Sequence, residues 1–181
     1  MTVTIDIAHA DQRDAFENLF QLYTHDFSEF WAGLPRGDVD EQGRFPSYPY
    51  LASYWQEEGR VPLLLRTDGK LAGFALLNRI GHTGQPVERN MAEFFVLRKY
   101  RRGGVGTASV DAIFTAYPGT WETAVARKNL GALAFWRRAV SSHALVVDLA
   151  ESDVNTPDWN GPVLRYRVLP RVPSPTGRGL G

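Results

Sequence analysis

The stretch from residue 61 to residue 80, VPLLLRTDGKLAGFALLNRI, constrains the fold more than any other part of the chain. It consists of two apolar runs separated by Asp68-Gly69, and such a dipeptide between apolar runs is a strong signal for a β-hairpin. The apolar segment 91–98, MAEFFVLR, follows after a polar loop and predicts a third strand. Three strands in succession favour a sheet with antiparallel pairs rather than a uniformly alternating α/β fold.

The segments on either side of this hairpin show strand and helix periodicity. Residues 2–8 alternate as a strand does, and Asp11 is placed to cap the helix that follows. The apolar residues of that helix have helical spacing: Phe16, Leu19, Phe20, Tyr23 and Phe27. Helices are also predicted over 106–117 and 129–140, and strands over 121–127, 144–149 and 163–170.

The last of these strands alternates Leu164, Tyr166 and Val168 with Arg165 and Arg167, which predicts an edge strand. The predicted order is strand, helix, long connection, three strands, helix, strand, helix and two strands. This order indicates an α+β domain with a mixed, mostly antiparallel central sheet flanked by helices. One domain over 1–170 suits a chain of 181 residues. Residues 171–181 are rich in Pro, Gly and Ser, and we expect a flexible tail there.

Composition excludes several classes of function. The 20 basic and 20 acidic residues cancel, so no global positive field attracts nucleic acid. The absence of cysteine excludes disulfides, thiolate chemistry and cysteine-based zinc sites. No apolar run is long enough to span a membrane, and the first residues do not resemble a secretory signal. We therefore expect a cytoplasmic protein without a membrane or nucleic-acid partner.

The segment 94–110, FFVLRKYRRGGVGTASV, combines four cations between Arg98 and Arg102 with three glycines. It lacks the third glycine of a dinucleotide fingerprint and the lysine of a P-loop, so both of those sites are excluded. A helix that begins near Gly104 would present free backbone N–H groups and a positive dipole end to a pyrophosphate. Glycines would let phosphate oxygens approach the backbone, and the arginines would add charge-assisted contacts. The alternative is a tight turn with solvated arginines.

These residues resemble the acetyl-CoA signature of the GNAT superfamily of N-acetyltransferases, R/Q-x-x-G-x-G/A, in Arg101-Arg102-Gly103-Gly104-Val105-Gly106. Downstream, Asn129, Ala132 and Phe135 resemble the second family motif, N-x-x-A-x-x-F-Y. The predicted element order also resembles the GNAT fold over residues 2–169. The pattern EFFVLRKYRR further resembles a group of bacterial acetyltransferases within the superfamily.

The resemblance implies an acetyl-CoA-dependent N-acetyltransferase that acts directly on an amine of a small molecule or peptide. It implies that neither an acetyl-enzyme nor a metal takes part. We expect a monomer or a homodimer. Backbone groups near Val96 would pair with the pantetheine arm, and a backbone N–H near Phe95 or Val96 would stabilise the oxyanion. The residues implied to contact the cofactor are Phe95, Val96, Arg98, Arg101, Arg102, Gly103, Gly104, Val105, Gly106, Thr107, Asn129 and Phe135.

Glu93, on the strand that leads to the loop, is the candidate general base. Burial between apolar neighbours would raise the pKa of its carboxylate towards the working pH. The alternative is a solvent-facing or salt-bridged strand residue. Asp26 and Glu29 are weaker candidates that could instead bind a cationic substrate.

Trp136 stands where the family often has a tyrosine that protonates the leaving thiolate. The indole N–H is a donor but not a useful acid. Either Tyr100, Tyr117 or water protonates the thiolate, or Trp136 shapes the acyl pocket or packs in the core. This difference leaves a non-catalytic acyl-CoA-binding module as the main alternative function. Acyl transfer to a hydroxyl group is a lesser one.

Acceptor-binding residues are expected in the first helix and the long aromatic connection that follows it. His25 could line the acceptor site, and the alternative is a structural or capping role at the end of the helix. The aromatic side chains of the connection either form a wall of the acceptor site or pack to keep the connection folded. The candidates are Tyr23, His25, Trp31 and Tyr54.

Overall fold

Asp68 and Gly69 form the predicted two-residue turn, and both have positive φ values, 48° and 75°, as a tight hairpin turn requires. The computed structural model describes residues 1–34 and 37–172. It confirms the predicted order of helices and strands. The strands are β1 Val3–Ile7, β2 Val61–Thr67, β3 Lys70–Asn78, β4 Arg89–Val96, β5 Gly119–Ala124, β6 Val146–Asn155 and β7 Asn160–Val168. The helices are α1 Arg13–Ser28, α2 Val105–Ala116 and α3 Leu130–Ser141.

The seven strands form one sheet in the order β1-β2-β3-β4-β5-β7-β6. Every neighbouring pair is antiparallel except β4 and β5, which are parallel. The sheet is therefore mixed and mostly antiparallel, and together with the three helices it confirms the predicted α+β class.

The prediction that β7 is an edge strand is wrong, because β7 lies between β5 and β6. Both arginines of its polar face have an acidic partner, although the side chain of Arg167 is 56% exposed. Arg165 donates to the buried carboxylate of Glu122 at 2.8 Å, and Arg167 forms an ion pair with Asp148 at 2.9 Å. The alternating arginines of β7 thus indicate that one face of the strand is polar, and they do not indicate that the strand lies at the edge of the sheet.

β4 contains a β-bulge and then separates from β5. Leu76 of β3 pairs with Glu93 and Leu77 pairs with Met91, which leaves Ala92 as the extra residue. In the described part of the chain, β4 pairs with β5 only at Arg89 and Asn90. The C-terminal half of β4 consequently faces an open gap in the sheet.

The two faces of the sheet carry separate apolar clusters. One face packs against α2 and α3 around Phe114, Trp121 and Trp136. The other face packs against α1 around Phe16 and Phe74. Alternation along β4 sends Phe95 to the α1 cluster and Val96 to the opposite one, so both clusters meet at the end of this strand.

α1 begins differently from the prediction. Asp11 lies in a short 3-10 turn, Ala10–Gln12, and Gln12 is the residue that precedes the helix. The connection after α1 is tied back to that helix because Gln21 exchanges hydrogen bonds of 2.8 and 3.1 Å with the backbone of Phe45. The predicted tail, 171–181, lies outside the described residues from position 173 onwards.

Candidate functional site

The basic glycine loop joins the end of β4 to the start of α2. Arg102 and Gly104 have positive φ values of 63° and 84°, a conformation that residues other than glycine rarely adopt. The first bond of α2 runs from the Ala108 N–H to the Gly104 carbonyl at 3.0 Å. The amides of Gly104–Thr107 therefore precede the hydrogen-bonded ladder, and the curled loop before them is typical of an anion-binding concavity.

A cleft of about 650 Å³ lies where β4 and β5 separate. Its walls are the glycine loop, the end of β4, the C-terminal part of α1 and the start of α3. Pockets of this volume accommodate ligands of small-molecule size. Most of the predicted cofactor residues line it: Phe95, Val96, Arg98, Arg101, Arg102, Gly104, Gly106, Thr107, Asn129 and Phe135.

Two predicted cofactor residues are not part of the lining. Val105 is 3% exposed and belongs to the α2 cluster, and Gly103 lies between Arg102 and Gly104 in the loop. Asn129 lies at the start of α3, where its side-chain oxygen accepts the Ala132 N–H at 3.0 Å. The side-chain carbonyl of Asn129 therefore caps a helix.

Arg98 and Arg101 share one carboxylate, that of Asp26 at the end of α1. Arg98 donates to Asp26 Oδ1 at 2.8 Å, and Arg101 donates to Oδ2. Arg101 also donates through Nε to the Val96 carbonyl at 2.7 Å. Burial raises the pKa of Asp26, but the hydrogen bonds and charges of the two arginines outweigh this effect, and the pKa lies below its usual value. Asp26 therefore stays ionised.

Glu93 lies on the face of β4 that packs against α1. The Tyr23 hydroxyl donates a hydrogen bond to Glu93 Oε2, and the Tyr48 hydroxyl also bonds to this carboxylate. Burial and the nearby charge of Glu93 raise the pKa of Tyr48, so Tyr48 stays a hydrogen-bond donor. Tyr23 lines the cleft, whereas Glu93 itself is not among the lining residues.

Comparison with known proteins agrees with this geometry. The model of the acetyltransferase (GNAT) family matches residues 16–140, which span most of α1, the glycine loop and most of α3. The chain belongs to the GNAT acetyltransferase family. No curated protein matches the chain significantly.

Solved GNAT structures share the fold at low sequence identity. The chain is similar to the ribosomal-protein-S18-alanine N-acetyltransferase from Escherichia coli, with 18% identity, a TM-score of 0.54, and 99% of each chain covered. A GNAT-family acetyltransferase from Staphylococcus aureus has 16% identity and a TM-score of 0.60 over 93% of this chain and 99% of its own. An aminoglycoside acetyltransferase solved with coenzyme A and kanamycin has 19% identity and a TM-score of 0.61 over 92% of this chain and 95% of its own.

The predicted acceptor residues of this GNAT domain do not all reach the cleft. Tyr23 lines it, but His25, Trp31 and Tyr54 are not among the lining residues. The His25 side chain is 70% exposed. Tyr54 is 3% exposed, and its hydroxyl accepts from Asn78 at 3.3 Å, while burial raises its pKa to about 12.

Trp136 lines the cleft of the GNAT domain from the α3 side and is 5% exposed. Its ring packs edge-on against Phe94 with the centroids 5.2 Å apart. Neither Tyr100 nor Tyr117 lines the cleft, and Tyr117 follows the last residue of α2, a whole helix length from the glycine loop. Within the described chain, Tyr23 is the one tyrosine of the lining.

Several lining residues of the GNAT domain were missed from the sequence. The family motifs do not include them, and Phe27 and Phe94 were assigned to a helix and a strand. Phe27 and Phe30 follow the buried stripe of α1 at helical spacing, which is the signal that could have identified them. The missed residues are Phe27, Phe30, Phe94, Gly131 and Arg138. Ala132, which belongs to the second family motif, also lines the cleft.

Two kinds of feature are absent from the described residues. No helix there combines the length and apolar character needed to cross a membrane. Over residues 1–34 and 37–172, no three His, Cys, Asp or Glu side chains come together as a metal site would require.

Proposed function

We propose that this GNAT acetyltransferase uses acetyl-CoA and transfers the acetyl group directly to an amine of a small molecule or peptide. The observation that supports this most is the glycine loop, which lines the same cleft as the end of β4. On its β5 side, that end of β4 has no ladder partner among the described residues. A pyrophosphate suits the loop, and an extended pantetheine arm suits the strand edge. The solved aminoglycoside acetyltransferase with coenzyme A has the same fold.

The cofactor contacts that we propose follow the cleft wall. Amides of Gly104, Gly106 and Thr107 would bind the pyrophosphate. Arg102 lines the cleft and would add charge. Phe135 would support this contact, because its ring lies 3.3 Å from the position of a Cβ at Gly106. Any larger residue at Gly106 would push against that ring.

The acyl transfer that we propose takes place beside Phe94–Val96. The amine attacks the thioester carbonyl, a backbone N–H near Phe95 or Val96 stabilises the oxyanion, and the coenzyme A thiolate leaves. Glu93 is the carboxylate proposed to receive the amine proton. Trp136 shapes the acyl end of the cleft, since an indole supplies no useful acid.

A thermal shift with acetyl-CoA, followed by a panel of amines monitored for release of free coenzyme A, tests the function. At about a hundred times the Kd, a ligand stabilises the folded state by about 2.7 kcal/mol. For a chain of this size that amounts to roughly 5–10 °C in Tm. No shift at such concentrations would contradict the cofactor proposal, and a shift without turnover would contradict the enzyme.

Gly104→Val is expected to abolish the acetyl-CoA shift. A β-branched residue is strained at φ 84°, and its side chain would stand where the phosphates approach the loop. Gly84→Val is the matched control, because Gly84 has φ 73° with open space around it and lies outside the cleft lining. Both variants should lose roughly 1–3 kcal/mol of stability. Only Gly104→Val should lose the response to acetyl-CoA.

One observation favours a second function, a non-catalytic acyl-CoA-binding module. Trp136 occupies the position where an acid would be expected, and it is buried against Phe94. The amine panel separates the two functions, because the module would show the full acetyl-CoA shift and release no coenzyme A.

A further inference from the structure

We propose that Tyr23, and not Glu93, is the catalytic residue that touches the acceptor nitrogen, and that Glu93 receives the proton through Tyr23. This inference rests on the proposed N-acetyltransferase function and adds the residue that contacts the acceptor. It concerns the acceptor side of the cleft, which the family motifs do not describe.

The two residues differ in their position relative to the cleft. Tyr23 lines the cleft, and Glu93 does not. The Tyr23 hydroxyl donates to Glu93 Oε2, so a residue of the cleft lining contacts the carboxylate directly. A general base must lie within hydrogen-bond reach of the proton that it abstracts. Of the two residues, Tyr23 is the one that an acceptor in the cleft would contact.

Packing holds the Tyr23 ring in place. Its centroid lies 5.2 Å from that of Phe20 and 5.0 Å from that of Phe27. On the sheet side it lies 5.7 Å from Phe74 and 5.7 Å from Phe95. A ring fixed by neighbours on both α1 and the sheet keeps its hydroxyl aligned without an entropic cost at the moment of reaction.

Polar and charged groups surround the pair of Tyr23 and Glu93. From the connection after α1, Tyr48 bonds to Glu93 and Tyr54 interacts with Glu93 electrostatically, while Arg60 interacts with the two tyrosines. From α1, Asp26 follows Tyr23 by one helical turn, but its charge is balanced by Arg98 and Arg101. The Arg101 guanidinium lies 5.5 Å from the centre of the Phe95 ring, which also contacts Tyr23. Glu93 is therefore the acidic partner to which Tyr23 donates.

The proton transfer balances with the residues present and the two substrates. As the C–N bond forms, the acceptor N–H bond breaks and its proton moves to the Tyr23 oxygen. The original Tyr23 proton moves to Glu93 Oε2. The C–S bond then breaks and leaves a thiolate, which needs one proton. The proton on Glu93 returns through Tyr23 to the thiolate, or it is lost to water while a water molecule protonates the thiolate. In both cases Glu93 regains its carboxylate form.

The experiment compares Tyr23→Phe, Glu93→Gln and their double variant for coenzyme A release with an accepted amine. Each single variant should lower kcat/KM by about 100-fold or more, the usual contribution of general acid–base catalysis. The double variant should lose no more than the larger single loss, because both residues serve one path. Tyr23→Phe keeps the ring contacts, so it should fold and its shift with acetyl-CoA should match that of the wild type. Its Tm should fall only by the loss of one hydrogen bond to Glu93.

Tyr48→Phe is the matched control, since Tyr48 also bonds to Glu93 but does not line the cleft. It should lower kcat/KM by less than about tenfold, in keeping with one hydrogen bond to a charged group. The acidic limb of its pH–rate profile should move to higher pH, because the carboxylate loses a donor that stabilises its ionised form. The residual rate of Tyr23→Phe should no longer respond to Glu93→Gln at any pH.

Three results would overturn the inference. If Tyr23→Phe stays within roughly threefold of the wild type while Glu93→Gln loses about 100-fold, the carboxylate contacts the acceptor itself and the proposed function stands. The same conclusion follows if the losses multiply in the double variant. If the wild type binds acetyl-CoA and releases no coenzyme A with any amine, the proposed function fails and the inference fails with it.

Discussion

At the scale of single residues, Asp26 gives the cleft an internal anion. Its carboxylate accepts from both Arg98 and Arg101, the cations that the sequence assigned to the cofactor. A phosphate that approaches these arginines must share them with Asp26 or displace it. If the loop binds the pyrophosphate as we propose, a residue of α1 would partly set its affinity.

Asp26→Asn is expected to bind acetyl-CoA several-fold more tightly at low ionic strength. The neutral amide no longer competes for the arginines, and charge-assisted contacts to phosphate are stronger than those to an amide. Titration calorimetry at two salt concentrations measures this, and the gain should shrink in high salt. Asp14→Asn, on the exposed first turn of α1, is the control. Weaker binding by Asp26→Asn would show that Asp26 orients the arginines instead.

The same variant has a defined pH dependence of stability. The pKa of Asp26 is lowered from 3.8 in the folded protein, because two arginines bind its ionised form. Its contribution to the free energy of unfolding is therefore complete above pH 3.8 and is lost as the pH falls through the lowered folded value. Asp26→Asn should be less stable than the wild type near neutral pH and should approach it in acid.

Features that depend on neighbouring residues were predicted from the sequence, and contacts between residues far apart in the chain were missed. Gly104 was assigned to the loop from a local pattern, and its positive φ agrees with that assignment. Tyr23 and Glu93 were each singled out, but they lie 70 positions apart, and nothing in one sequence indicates that they share a hydrogen bond. Asp26 and Arg101, 75 positions apart, are a second such pair. The spacing of residues along the chain does not predict contacts between such distant positions.

At the scale of elements, local periodicity predicted which segments become strands but not which strands become neighbours. The hairpin was predictable because its turn and both strands are contiguous. The position of β7 was not, because alternation is the same for an edge strand and for an inner strand with paired charges. Glu122 of β5 makes the difference, since it is 0% exposed and accepts the Arg165 guanidinium.

Glu122→Gln is expected to destabilise the protein by roughly 2–4 kcal/mol, because it leaves a partly buried arginine without its anion. Glu122 also accepts from the His82 N–H at 2.6 Å and from the Thr83 hydroxyl, so the loop after β3 should loosen as well. Urea unfolding measures the loss. Glu151→Gln breaks a more exposed pair with Arg137 and should cost no more than about 1 kcal/mol. Equal losses would mean that the burial of Glu122 is energetically unimportant.

At the scale of the whole molecule, the balance of charges favours the proposed diphosphate site over a nucleic-acid-binding surface. The net charge is zero, and Asp26 neutralises part of the one dense basic segment. A compact diphosphate can use a few aligned donors, whereas a polynucleotide gains affinity from many cations spread over a face.

Labelled duplex DNA is therefore expected to bind weakly at physiological salt and not to displace acetyl-CoA. Fluorescence anisotropy across roughly 50–200 mM salt checks this, because binding through many phosphate contacts falls steeply over that range. A steep salt dependence together with displacement of acetyl-CoA would place a polynucleotide in the cleft and contradict the proposed function.

The separation of β4 from β5 has a consequence for the mechanics of the domain. The strands β1–β4 and the strands β5, β7 and β6 share only a short parallel ladder in the described residues, between Arg89–Asn90 and Trp121–Glu122. The sheet therefore has two parts that are joined at one end of β4, and both parts pack on the core around α2 and α3. A pantetheine arm along β4 would bridge the open side, so the proposed substrate would also add a structural link between the two parts. Release of product would then remove that link at the end of every cycle.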